Sequence, residues 1–205
     1  MKTQIIGLTF ALGGLIGAGT AAADEPTDVF TRYGTSITAG GGVGGFAGTE
    51  MRDTTDVGGS WDVRAAIGTR RLLGLEAGYL GTAQGIDAIG LDTNAVLLGT
   101  AVEGIARLNG GYQSAFNSYF FVGLAWRRYD LTNVDTNTSD VTDSDNLLEV
   151  PFGIGLSYRI DHFVADVRGE VRAATFEDMI PSGETAGEEM AMHTWGATAQ
   201  LGYEF

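Results

Sequence analysis

The stretch Leu148-Glu149-Val150-Pro151-Phe152-Gly153-Ile154-Gly155-Leu156-Ser157-Tyr158 decides how the rest of the chain is read. Every even position carries a bulky apolar side chain, and every odd position is small, polar or charged. That is a period of two, the mark of an extended strand with two unlike faces; an amphipathic helix would show a period near 3.6. Trp195-Gly196-Ala197-Thr198-Ala199-Gln200-Leu201-Gly202-Tyr203-Glu204-Phe205 alternates in the same way, with its bulky residues on odd positions. In a third stretch Phe120, Val122, Leu124 and Trp126 are interleaved with Tyr119, Gly123, Ala125 and Arg127.

Followed in both directions, the pattern gives eight segments, at about 33–46, 60–70, 73–83, 95–108, 118–130, 147–160, 163–175 and 191–205. The first is the weakest, because Gly40-Gly41-Gly42 and Gly44-Gly45 leave few side chains to define a face. The connections after the second and sixth segments are two or three residues, around Arg71-Leu72 and Asp161-His162, and the one after the fourth runs through Asn109-Gly110-Gly111. Those after the odd segments are longer and rich in Asp, Thr, Ser and Gly. A membrane-spanning strand needs roughly 9–11 residues, and short turns at one end with long loops at the other is the layout of an outer-membrane barrel. The expected fold is therefore all-β: an eight-stranded antiparallel up-and-down transmembrane β-barrel with long extracellular loops and short periplasmic turns.

The amino terminus fits export to that membrane. Met1-Lys2 is a short positive region, Ile5 to Ile16 is apolar apart from Gly and Thr, and Ala21-Ala22-Ala23 supplies small residues for cleavage. The apolar run is too short to cross a bilayer as a helix, which takes roughly 20 residues. The expected division is a cleaved signal peptide at 1–23, a short periplasmic segment at 24–32 and the barrel at 33–205. Lys2 is the sole lysine, so cleavage leaves 11 Arg against 26 Asp plus Glu, a net charge of −15. Nucleic acid is not an expected partner of so acidic a chain. There is no cysteine, which removes disulfides, thiolate metal sites and a cysteine nucleophile.

Two patterns not used to draw the strands agree with them. Trp61, Trp126 and Trp195 all fall on the outward parity toward the long-loop ends, whereas Tyr158, Phe163, Tyr203 and Phe205 fall outward toward the opposite ends. Two aromatic girdles at two membrane–water interfaces account for both sets. Trp195 to Phe205 is ten residues, which at about 3.3 Å each and a tilt of roughly 40° gives about 25 Å, the height of an outer-membrane apolar band. The second pattern is charge. Residues 47–59, 84–94, 131–146 and 176–190 hold 14 acids and one base, Arg52. The inward parity instead carries seven acids (Asp62, Glu76, Glu103, Glu149, Asp166, Glu170, Glu204) and seven arginines (Arg64, Arg70, Arg107, Arg127, Arg159, Arg168, Arg172). Enclosed charges are costly unless paired, and eight strands enclose little more than their own side chains. The expected lumen is an Arg–carboxylate lattice.

With these residues in place, the chain resembles the small outer-membrane β-barrel proteins, the OmpA-type and OmpX-type barrels. The ending Ala199-Gln200-Leu201-Gly202-Tyr203-Glu204-Phe205 resembles the signature that closes such proteins, and the likeness covers residues 30 to 205. It implies a place in the outer membrane of a Gram-negative-type bacterium, contact with its lipid and lipopolysaccharide, and recognition of the terminal Phe205 by the barrel-assembly machinery. Unlike full-length OmpA-type proteins, the chain is not expected to carry a peptidoglycan-binding domain after the barrel.

The search for chemistry is less productive. Acyl transfer or hydrolysis needs a nucleophile beside a base. His162 falls in a short turn, and His193 falls on the outward parity near the outer rim with Ser182 in the adjoining loop. Lipid-A deacylases of this kind place His and Ser two residues apart on one strand, but two residues beyond His193 stands Trp195. The Gly-rich stretch 40–45 lacks the Lys-Ser/Thr of a phosphate loop. The acidic run Asp135 to Asp145 offers carboxylates to divalent cations but lacks the Gly and Glu spacing of a calcium loop. Arg128, outward beside Trp126, is placed to meet a lipopolysaccharide phosphate. No catalytic residue, cofactor or metal ligand is assigned. The expected function is structural or surface-interaction; the alternatives are a narrow channel for a small solute and, behind it, a lipid-modifying enzyme.

Overall fold

The computed structural model describes residues 33–86, 95–133, 144–175 and 192–205. The expected signal peptide and the 24–32 segment lie outside them. Eight strands follow in chain order: β1 Thr35–Phe46, β2 Gly58–Ile67, β3 Leu73–Gly85, β4 Val96–Asn109, β5 Phe116–Thr132, β6 Ser144–Ile160, β7 Phe163–Thr175 and β8 Thr194–Glu204. One short helix, α1 Thr49–Thr54, lies between β1 and β2. Each strand pairs antiparallel with its chain neighbour, and β8 returns to β1, so the sheet is a closed barrel with no free edge.

The register fixes how the barrel is wound. From Thr35, hydrogen-bonded neighbours run through Ile67, Leu75, Ala106, Val122, Phe152, Val171 and Trp195, and arrive back on β1 at Gly45. The circuit thus climbs from residue 35 to residue 45 of the same strand. A stagger of that size on eight strands requires a tilt of roughly 40°. With that tilt and about 3.3 Å per residue, the three tryptophans fall within roughly one strand spacing of a single level. Phe116, Tyr158, Phe163, Tyr203 and Phe205 form a second level near the opposite rim.

Local chemistry explains the irregular places. β2 stops at Ile67, short of the expected residue 70, because Gly68 takes φ +83° and starts the turn into β3. Asn109 closes that turn by donating its side-chain amide to the carbonyl oxygens of Gly68 and Arg71. Arg70 is consequently a turn residue and not a member of the inward face of β2. Pro151 has no N–H to give, and the β5–β6 ladder skips Gly123 and Leu124 opposite Pro151 and Val150. β5 and β6 reach further toward the loop end than expected, to Thr132 and from Ser144.

Large rings lie over cross-strand glycines. Gly155 sits opposite Tyr119, Gly153 opposite Phe121 and Gly99 opposite Tyr129 inside the barrel. Outside it, Gly81 sits opposite Trp61 and Gly45 opposite Trp195. A Cβ at Gly153 would stand 2.8 Å from the Phe121 ring, and one at Gly155 would enter the Tyr119 ring. Gly155→Val therefore expels Tyr119 from its seat. It should cost about 1–3 kcal/mol in urea unfolding of the refolded barrel, whereas Gly104→Ala, whose Cβ meets no atom within 4 Å, should leave the midpoint unchanged.

Candidate functional site: the lumen and the apolar belt

The outer surface has the composition of a protein core. Leu201 is 73% exposed, Val122 53% and Leu156 44%, and the same face carries Leu75, Phe120, Leu124, Ile154 and Val167. These residues alternate with buried polar ones on every strand. Water does not tolerate a continuous apolar surface around a whole molecule, but hydrocarbon does. A soluble sandwich would have packed these side chains together; here they point away from the axis on all sides.

The interior is charged and layered. At the turn end Glu204 is buried and held by three side chains from two elements: in the β2–β3 turn Thr69 donates its hydroxyl at 2.6 Å and Arg70 reaches it at 2.6 Å, and Arg159 from β6 reaches it at 2.9 Å. Above it Glu76 takes Arg107 and Arg168, the latter at 2.9 Å, while the Tyr119 hydroxyl donates to Asp166 at 2.7 Å. Arg107 lies 3.7 Å over the Tyr119 ring and Arg168 4.7 Å over Phe121, so the aromatic layer is packed between guanidinium groups. In the middle Arg64 bridges Glu103 and Asp62, with the Gln200 amide also donating to Asp62 at 2.8 Å. Higher still, Arg172 joins three carboxylates at once: Glu103 at 2.7 Å, Glu170 at 2.7 Å and Glu149 at 3.2 Å. Arg127 completes this layer on Glu149 at 2.8 Å.

At the loop end the interior turns apolar. Phe46, Met51, Ile86, Leu97, Tyr129, Leu147 and Met192 form one buried cluster, joined by Ala95 and Ala174. Met51 comes from α1, which folds over the mouth, and Met192 comes from the segment entering β8. Sequence reasoning assigned Met51 to an acidic loop and Met192 to the start of the eighth segment, and missed the plug they form. Parity has no meaning outside strands, and the signal that remained was only the apolar residue inside each polar stretch.

Two small cavities lie inside among the described residues, about 30 Å³ beside Asp62 and Thr198 and about 20 Å³ beside Asp166 and Ser157. Each has room for one or two waters.

The candidate reactive residues are not brought together. His193 accepts the backbone N–H of Ala174 on Nδ1 at 3.1 Å, and Ser182 lies outside the described residues. His162 donates from Nδ1 to the Glu204 carbonyl at 2.9 Å and stacks on Tyr203. The Asp135–Asp143 part of the acidic run is outside the described residues. Arg128 is exposed beside Trp126 and is held by Asp130 at 2.8 Å.

No protein-family model and no curated protein matches the chain. Solved structures do. Neisserial surface protein A shares 15% identity at a TM-score of 0.59, over 83% of this chain and 97% of that one. Ail, the attachment invasion locus protein of Yersinia pestis, solved with the heparin analogue sucrose octasulfate, shares 12% at 0.55, over 84% and 98%. The outer membrane protein OprG of Pseudomonas aeruginosa shares 13% at 0.53, over 84% and 95%. Closed ring, apolar exterior and charged interior together mark this chain as having the fold of the small eight-stranded outer-membrane β-barrels.

Proposed function

We propose that this protein resides in the outer membrane of a Gram-negative-type bacterium, after removal of residues 1–23, as a structural or surface-interaction barrel with a lumen filled by an Arg–carboxylate lattice. The observation that carries the reading is the pairing of an apolar exterior with an interior, among the described residues, crossed by paired charges and holding cavities of about 30 and 20 Å³. Lipid covers the first, and the second leaves no bore for a solute. The terminal strand, ending at Phe205, presents the alternating pattern for the barrel-assembly machinery.

The ends of the barrel then define the partners. Trp126 and Arg128 stand at the outer rim, where the indole seats at the interface and the guanidinium meets lipopolysaccharide phosphate. The segments joining the strands at the loop end carry 13 acids against Arg52. Ail was crystallised with a sulfated polyanion, but loops of this balance repel one. They suit a cationic partner, or divalent cations that bridge them to neighbouring lipopolysaccharide. No catalytic role is proposed for His193 or His162.

Planar-bilayer recording of the refolded barrel tests the filled lumen. The expected trace shows no persistent large conductance. A stable open level of porin size would replace this reading with the channel.

A further inference from the structure

The charges inside the barrel do not balance locally. Between the Glu204 clamp and the apolar plug the described interior holds six carboxylates, Asp62, Glu76, Glu103, Glu149, Asp166 and Glu170, and five guanidinium groups, those of Arg64, Arg107, Arg127, Arg168 and Arg172. One negative charge is left over. Stretches 87–94, 134–143 and 176–191 contain no Lys or Arg that might reach in to meet it.

The larger cavity lies where that charge is needed. It exists because β1 and β8 turn glycines, Gly44 and Gly196, toward it, so two neighbouring strands supply wall without side chain. Its lining includes oxygen atoms that have no hydrogen-bond partner in the fold: Ser60 Oγ, Asp62 Oδ1, Gln84 Oε1, Tyr129 Oη, Glu170 Oε2 and Thr198 Oγ1. Asp62 and Glu170 each commit one oxygen to an arginine, Asp62 to Arg64 at 3.1 Å and Glu170 to Arg172 at 2.7 Å. The second oxygen of each has no hydrogen-bond partner, and Arg64 Nη2 lies 3.9 Å from Glu170 Oε2. Gln84 and Thr198 are neutral, more than nine-tenths buried and also partnerless, so the site does not rest on the carboxylates alone. A buried acceptor without a donor is costly.

We infer that this cavity is a binding site for a small monovalent cation of the sodium–potassium class, held by Asp62, Glu170, Thr198 and Gln84 with a water completing its shell. The lining also carries Arg127 and Arg172, both committed to carboxylates of the lattice, so the unpartnered oxygens beside the surplus negative charge match one further positive charge. A divalent ion would overshoot it and would ask for a fuller carboxylate set. A volume of about 30 Å³ takes an unhydrated ion and one water. The ion is part of the fold, neutralising the lattice as an arginine does elsewhere in the lumen.

Thermal unfolding of the refolded barrel, in sodium chloride and in N-methylglucamine chloride at equal ionic strength, tests this directly. The organic cation is too large to enter. The expected result is a midpoint several degrees lower in N-methylglucamine, restored by titrating sodium or potassium. Thr198→Val keeps the charge but removes a ligand oxygen, and should raise the concentration needed for restoration at least tenfold. Asp62→Asn removes the surplus charge and should make the midpoint indifferent to the choice of salt. Crystals soaked in thallium(I) should show one anomalous peak between Asp62 and Glu170. Equal midpoints in the two salts for the unaltered protein would overturn the inference, since the surplus would then be met by a proton or by water alone. So would thallium found only on the outer surface.

Discussion

Arg172→Met should destabilise the refolded barrel by about 3–5 kcal/mol, read as the urea midpoint and slope in lipid vesicles, because removing one member of a buried ion cluster strands its partners. Arg172 is the largest such case in the lumen. It alone touches Glu103, Glu149 and Glu170, and its side chain is almost fully enclosed. The same change at Arg128, whose charged contact among the described residues is the exposed Asp130, should leave the midpoint where it was. The compensating double variant sharpens the result. Arg172→Met with Glu170→Gln returns the interior to a surplus of one negative charge and should recover a good part of the loss, a coupling that independent sites do not show. A cost below about 1 kcal/mol for the single change would mean that lumen packing, not the ion lattice, holds the strands in register.

The second large effect is on the outside and depends on depth. Val122→Arg places a guanidinium in the middle of the apolar belt on β5, and should cost about 2–4 kcal/mol in vesicles. Ile160→Arg puts the same group at the end of β6, level with the lower aromatic girdle, and should cost about 0–1 kcal/mol. Both positions are more than half exposed, so a water-soluble barrel would accept the two substitutions equally. Equal costs would therefore remove lipid from around the belt.

The sequence revealed the strands because a side chain on a barrel strand meets one of two unlike surroundings, and alternation records which. Leu148 to Tyr158 needed nothing further to be oriented. The charged residues followed from the same rule, and all seven inward carboxylates are buried in the structure. What alternation cannot supply is the third dimension. Which arginine meets which carboxylate is set by the stagger between strands, so the threefold contact of Arg172 was not legible. Nor were the features outside strands. Met51 sits in a stretch that reads as solvated, and its burial depends on α1 folding back over the mouth; Met192 stands just ahead of β8 and joins the same cluster. Arg70 failed for a neighbouring reason: counting along β2 assumed that the strand continued, and the positive φ of Gly68 ended it. The glycines were legible only as a weakness in the first segment, whereas most of those facing a ring make room for a side chain on the next strand.

The two ends of the lumen differ in permeability. One is stoppered by Phe46, Met51, Leu97 and Leu147, all nearly inaccessible, and the other is laced by Arg70 and Arg159, whose side chains remain 32% and 17% open to solvent. Water and ions that reach the lattice therefore enter by way of the turns. In the proposed orientation the inside then belongs to the compartment beneath the membrane, and the lattice would feel changes of salt there and not the same changes outside the cell.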